Sequence, residues 1–213
     1  MNTTQAIKLV VNLWHDDQVD DPTEENWTVV SFSSRHNAFR HPDEFEDNAE
    51  HAERVKAGLA FPLSYFEHGQ CLWTLAGELP PGADCPFDSV GLAGWIIWER
   101  DEEEMGAETV EDRRKDAAAF IEHYTNWCNG QVFGYTIEAF KVCECCGQDT
   151  ELSDEEAGLD LPSCGGYYPD DIDGMVIDMK DHIGDDWASY KVEFKEQHGY
   201  GLADECGRRW KGE

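Results

Sequence analysis

Positive charge is what this chain lacks. Against 46 aspartates and glutamates stand only 16 lysines and arginines, a formal net charge of −30 and a pI near 4.3. Such a surface is repelled by phosphate backbones and anionic headgroups, so direct binding to DNA, RNA or a membrane is not expected. Long apolar runs are missing as well. No stretch approaches the roughly 18 apolar residues of a membrane span, and MNTTQAIKLVVNLW has neither the basic start nor the apolar run of a secretory signal. Eight cysteines in a chain read this way are expected as reduced thiols or metal ligands, not as a disulfide framework, which places the protein in the cytoplasm.

The usual signatures of nucleotide and acyl chemistry are absent too. There is no G-x-x-x-x-G-K-[ST] and no G-x-G-x-x-G to cradle phosphate. Ser89 and Ser163 sit in no nucleophile elbow. His15-Asp16-Asp17 lacks the further His and Asp residues at helical spacing that a metal-dependent phosphohydrolase needs, and reads as a solvated turn. Pro169 to Gly174 looks like a calcium loop, but aligned on Gly174 the first ligand position is Pro169 and the twelfth Lys180, so an EF-hand is excluded. Acidic pairs are so frequent that no catalytic dyad stands out. The chain is not expected to be an enzyme.

What is present is a foldable core. Apolar residues make up 40% of the chain, with eight Trp, seven Tyr and ten Phe, enough for a real interior despite the charge. The strongest local pattern is helical. Thr109 followed by Asp112 has the form of a capping box, and Glu108, Glu111 and Asp112 suit the positive end of a helix dipole. Val110, Ala117, Phe120, Ile121, Tyr124, Trp127 and Cys128 then recur at spacings of three and four. Asn129-Gly130 ends the run. The expected helix, 108–128, lies between strands at 90–99 and 131–142.

Elsewhere, 6–14 and 27–32 read as strands, paired as a hairpin across HDDQVDDPTEEN. Residues 62–68 and 70–76 read as strands joined by a tight turn at Gly69. Gly91 and Gly94 suggest a bulge or close packing. Helices are expected near 43–59 and across 172–197. With no internal repeat, the expected class is α+β: a single domain over 1–198, mostly antiparallel sheet covered by the long helix, with a loosely ordered tail at 199–213.

The order of several motifs resembles a family of uncharacterised proteins encoded by tailed bacteriophages: FPLSYFEHG, CPFDSVGLAG, a helix ending at Tyr124, NGQVFGYTIE and SCGGYY. The resemblance covers roughly residues 8 to 185. Family members often carry Trp where Phe87 and Gly165 stand here. The Cys-rich acidic segment at 143–161 looks like an insertion between framework strands. The resemblance implies a phage-encoded accessory protein of the host cytoplasm and transfers no catalytic residue.

Two candidate sites follow. Cys143 and Cys146 form a C-x-x-C knuckle, the bite by which two thiolates share a tetrahedral zinc ion. Lacking a second knuckle, the expected ligand set is Cys143, Cys146, Cys164 and Cys206, with His182 or His198 as substitutes, and zinc as the ion. Free thiols are the plainer reading, and the acidic surroundings are expected to raise their pKa values. The other candidate is the surplus of carboxylates. Glu44, Glu46, Asp47 and Glu50 on one helix, with Asp101, Glu102, Glu103 and Glu104 in a loop, would present charge where a DNA-binding protein expects phosphates. The expected function is inhibition of a basic host protein (a restriction, nuclease, CRISPR or other DNA-binding component) by mimicry of DNA charge. The alternative is an interaction or scaffold module with a small structural zinc site, its acidity generic.

Overall fold

A computed structural model of the chain describes residues 7–212 apart from 25, 47, 84, 144, 198 and 200, and only the backbone of Glu24 and Glu46. The architecture is α+β, as expected, with its strands divided between two sheets. By contact, the chain forms two compact units, one of residues up to Val19 together with Gly130 onward, the other Asp20–Asn129.

The first unit contains β1 (Ile7–His15), β6 (Phe133–Val142), β7 (Asp149–Leu152), β8 (Ser163–Tyr167) and β9 (Lys191–Glu196). Their order is β7-β6-β1-β9, with β8 also on β6. β1 runs antiparallel to β6 and parallel to β9. Period-2 alternation turns Leu9, Val11 and Leu13 into one core, which α5 (Ile172–Ile183) and α6 (Leu202–Lys211) cover with Met175, Met179, Leu202, Cys206 and Trp210. Each such side chain contributes about 1.5–3 kcal/mol by leaving water. Two expectations fail here. The second half of 172–197 is strand β9, because Val192 and Phe194 alternate against β1 instead of following a helical period. The tail beyond Gly199 is ordered as α6, because Leu202, Cys206 and Trp210 recur every four residues and bury together. The acidic segment after the Cys-rich stretch also carries structure. Besides β7 it forms α4 (Asp154–Ala157), opened by a Ser153–Glu156 capping box.

The second unit contains β2 (Trp27–Ser31), α1 (Asp43–Glu46), α2 (Ala49–Ala57), β3 (Ala60–His68), β4 (Gln70–Leu75), β5 (Ser89–Trp98) and α3 (Val110–Cys128). Its sheet runs β2-β5-β3-β4, antiparallel throughout. β2 therefore pairs with β5, and not with β1 as a hairpin. The β3–β4 hairpin turns at Gly69, whose φ of 84° is the left-handed region that favours glycine. The expected bulge is present in β5. Its register slips against β3 between Leu63 and Tyr65, and the Ser64 hydroxyl donates to the freed Gly91 carbonyl at 2.9 Å. Gly94 must be glycine, since a Cβ there would lie 1.9 Å from the Val30 carbonyl oxygen.

α3 closes one face of this sheet. Ala117, Ile121 and Tyr124 bury against Leu63, Trp73, Leu75 and Ile96, and Asp116 accepts from the Trp27 indole at 2.8 Å. Its C-terminal side chains also cover the free edge of β4. Thr125 accepts from Trp73 N–H at 3.1 Å, and Asn129 binds both backbone groups of Cys71, at 2.9 and 2.8 Å. Bare strand edges invite pairing with other chains, and this one is sealed by side-chain groups.

Candidate functional site

The acidic segments belong to the second unit, and two arginines tie them together. Arg54 on α2 donates to the Trp98 carbonyl at the end of β5 and to Glu50 at 3.4 Å. Arg113, buried in the first turns of α3, donates to the carbonyls of Ala57 at 2.7 Å and Ala107 at 3.1 Å, and to Glu102 at 2.5 Å. The end of α2, the 101–104 turn and the start of α3 are thereby held as one polar face. Arg113 was legible as a core-facing position, four residues before Ala117 and eight before Ile121, but its charge argued against burial.

The expected partner-binding residues differ within that face. Glu44 is exposed on α1, and Glu50 is exposed but paired with Arg54. Glu102 is paired with Arg113, and Glu104 with Arg100 at 3.8 Å. Glu46 belongs to α1 by its backbone, and Asp47 lies outside the described residues. Three of the chosen acids are thus partly neutralised from within. Asp101 and Glu103, both expected, are joined in the same stretch by three acids that were not: Glu99, Glu108 and Glu111. Glu99, Asp101, Glu103, Glu108 and Glu111 are all exposed and have no cationic partner among the described residues. Part of this charge has a local reason, because Glu108 and Glu111 face the positive end of α3, whose cap is Thr109 accepting from Asp112 N–H at 3.1 Å.

The thiol site lies at the tip of the β6–β7 hairpin in the first unit. Gly147, with a φ of 72°, donates its N–H to the Cys143 carbonyl at 2.8 Å and closes the turn. One sulfur each from Cys143, Cys145 and Cys146 falls within 4.8 Å of the other two, a group able to hold a metal ion. Cys143 Sγ and Cys145 Sγ are 3.0 Å apart. The expected rise in thiol pKa does not hold for Cys143, because hydrogen bonds from the side chain and backbone of Cys145, then from Cys146, draw it down to about 6. The shared proton pushes Cys145 the other way.

The wider four-cysteine set is not assembled. Cys145 takes a place the spacing argument gave to more distant residues. Cys164 lies instead with Asp178 and His182. Cys206 is fully buried in the α6 face of the core, where loss of solvent pushes its thiol up to about 12. His198 lies outside the described residues.

Sequence reasoning also missed a cleft of about 440 Å³ in the second unit, lined among others by His36, Tyr65, Cys71, Trp73, Tyr124 and Cys128. His36 sits edge-on to Tyr65 and Trp73, with ring centroids 4.8 and 5.3 Å away, and its Nδ1 lies 2.7 Å from the Ser31 hydroxyl. Burial lowers the His36 pKa, and the neighbouring Arg35 adds to that. A hydrogen bond from Cys128 lowers the Cys71 thiol and leaves Cys128 raised. His51 occupies a second, smaller cleft. Its ring stands edge-on to Trp95 at 4.5 Å and to Phe45 at 5.5 Å, and both of its nitrogens are buried without a hydrogen-bond partner among the described residues. No helix among the described residues is long and apolar enough to cross a membrane. Comparison with protein-family models, with curated proteins and with solved structures finds no match.

Proposed function

We propose that the protein is an acidic binding protein that engages a basic partner, and that in a phage-infected cell this partner is a DNA-binding or defence component whose cleft it occupies in place of DNA. The observation that carries the reading is the exposed segment Glu99–Asp112, where Glu99, Asp101, Glu103, Glu108 and Glu111 have no cationic partner among the described residues while Arg54 and Arg113 pin the backbone beneath. Carboxylates held on a fixed backbone gain the same salt-dependent attraction that a phosphate backbone does, with little ordering cost on binding. The test is capture from host lysate by the wild-type chain and by a variant with those five acids changed to their amides, at two salt concentrations. Nucleic-acid-binding proteins should be held by the wild type at low salt, released at high salt, and lost by the variant. Equal capture by both chains contradicts the reading.

A second reading rests on the hairpin sulfurs. Cys143, Cys145 and Cys146 would hold a structural zinc ion that stiffens the β6–β7 tip as an interaction element. Metal content by mass spectrometry, before and after Cys143 and Cys146 are changed to serine, tests it. A zinc content that the double variant leaves unchanged sinks the assignment to the hairpin.

A further inference from the structure

We propose that Cys164, Asp178 and His182 form a metal site of their own, for a divalent cation of the zinc class with one coordination position left to solvent. It shares no residue with the hairpin thiols and does not depend on the partner reading.

The three ligands come from two elements that the fold brings together. β8 places Cys164 opposite Tyr135 of β6. α5 carries Asp178 and His182 one turn apart, so their side chains share a helix face. One ligand atom from each of the three lies within 4.8 Å of the other two.

Two of the three ligands are also oriented by neighbours. The hydroxyls of Tyr135 and Tyr167 donate to Asp178 Oδ2 at 2.6 and 2.5 Å. Its other oxygen, Oδ1, lies 3.7 Å from His182 Nε2. Two ligands on a tetrahedral zinc ion, with bonds of about 2.0–2.2 Å, sit roughly 3.4 Å apart. The gap therefore closes on an ion with a shift of a few tenths of an ångström. On the far side of the imidazole, Asp160 Oδ2 lies 2.9 Å from Nδ1. A carboxylate there keeps the proton on Nδ1 and the lone pair on Nε2, the arrangement by which metal-binding histidines are commonly held.

The donor set points to the class of ion. Calcium and magnesium take oxygen ligands, whereas a thiolate, an imidazole and one carboxylate together suit zinc and its neighbours. All three residues are only partly buried, so solvent can reach the fourth position. Among the described residues neither Asp160 nor Asp178 has a lysine or arginine partner. A protonated His182 between two carboxylates would account for the Asp–His distances, but it gives Cys164 no part.

The test uses the full chain with Cys143, Cys145 and Cys146 changed to serine, which removes the exposed hairpin thiols. Co²⁺ is titrated into this variant and followed by its thiolate charge-transfer and visible d–d bands, then displaced with Zn²⁺. The expected result is one Co²⁺ per chain with a thiolate band, which is lost on adding Cys164→Ser. His182→Gln should abolish tight binding, and Asp160→Asn should weaken it by about 10–100-fold. Asp160 has no other side-chain partner among the described residues, so its variant tests the site without disturbing the core, and circular dichroism of each metal-free variant checks the fold. No Co²⁺ uptake by the hairpin variant overturns the proposal. So does uptake without a thiolate band, or uptake that Cys164→Ser and Asp160→Asn leave unchanged.

Discussion

The candidate sites of the two units meet the same surplus of negative charge in opposite ways. In the second, acids are anchored by the chain's own cations: Arg54 and Arg113 reach backbone carbonyls and carboxylates together, and one of them is buried while doing so. In the first, the hairpin thiols and the Cys164–Asp178–His182 group are arranged around no lysine or arginine among the described residues. Their geometry suits a cation from outside the chain. Internal cations make a rigid anionic face, and missing ones make ligand groups.

The largest expected effect tests the internal side of that contrast. Arg113→Ala strips donors from two carbonyls and Glu102, and should cost about 3 kcal/mol, because buried polar groups are left unpaired. Arg209→Ala in the first unit removes pairs to Asp173 and Glu205 that are largely solvated, and should cost far less. Chemical denaturation of both variants compares them directly. Similar losses would break the distinction.

A smaller effect should come from Asp178. Burial works against its ionisation, but the Tyr135 and Tyr167 hydroxyls outweigh it and hold the carboxyl below its ordinary value of 3.8. A depressed carboxylate pKa stabilises the fold above the unfolded value, and that contribution is lost as pH falls through the folded one. Tyr135→Phe with Tyr167→Phe should lower stability at pH 7 by about 2 kcal/mol and flatten the acid limb of the pH–stability curve. Thermal melts of the metal-free chain from pH 7 to pH 2 measure both.

The smallest effect carries the opposite sign. The His51 nitrogens have no hydrogen-bond partner among the described residues and lie between Phe45 and Trp95, so His51→Phe should stabilise the second unit by about 1 kcal/mol. Burial also lowers the His51 pKa. The neutral ring is favoured in the folded state, so the wild type should lose stability as pH falls below the ordinary histidine value of 6.5. The variant should lose less. A destabilised variant with an unchanged pH profile would mean that His51 has a partner the packing does not reveal.

Legibility in the sequence followed the range of the interaction. α3, the β3–β4 hairpin and the bulge glycines announce themselves through local period and turn chemistry, and the hairpin thiols lie within four residues of one another. β9 reads as helix until β1 is beside it, since the alternation of Val192 and Phe194 is too short to decide locally and the parallel neighbour lies nearly the whole chain away. α6 did carry a mark, the four-residue recurrence of Leu202, Cys206 and Trp210, but its charged remainder and flanking glycines made it look like a tail. The Cys164–Asp178–His182 group depends on the β6–β8 register and on where α5 packs, neither of which spacing along the chain encodes. Cys164 and His182 were both considered as ligands, but joined to Cys143 and Cys146 instead of to Asp178.

The claim that the anionic face of the second unit stands in for DNA is tested most directly by competition. A DNA-binding protein captured by the wild-type chain is challenged with increasing concentrations of duplex DNA at fixed salt. Mutually exclusive binding is predicted, with the duplex releasing the chain and the five-amide variant failing to compete. A stable ternary complex of partner, duplex and chain would contradict the account.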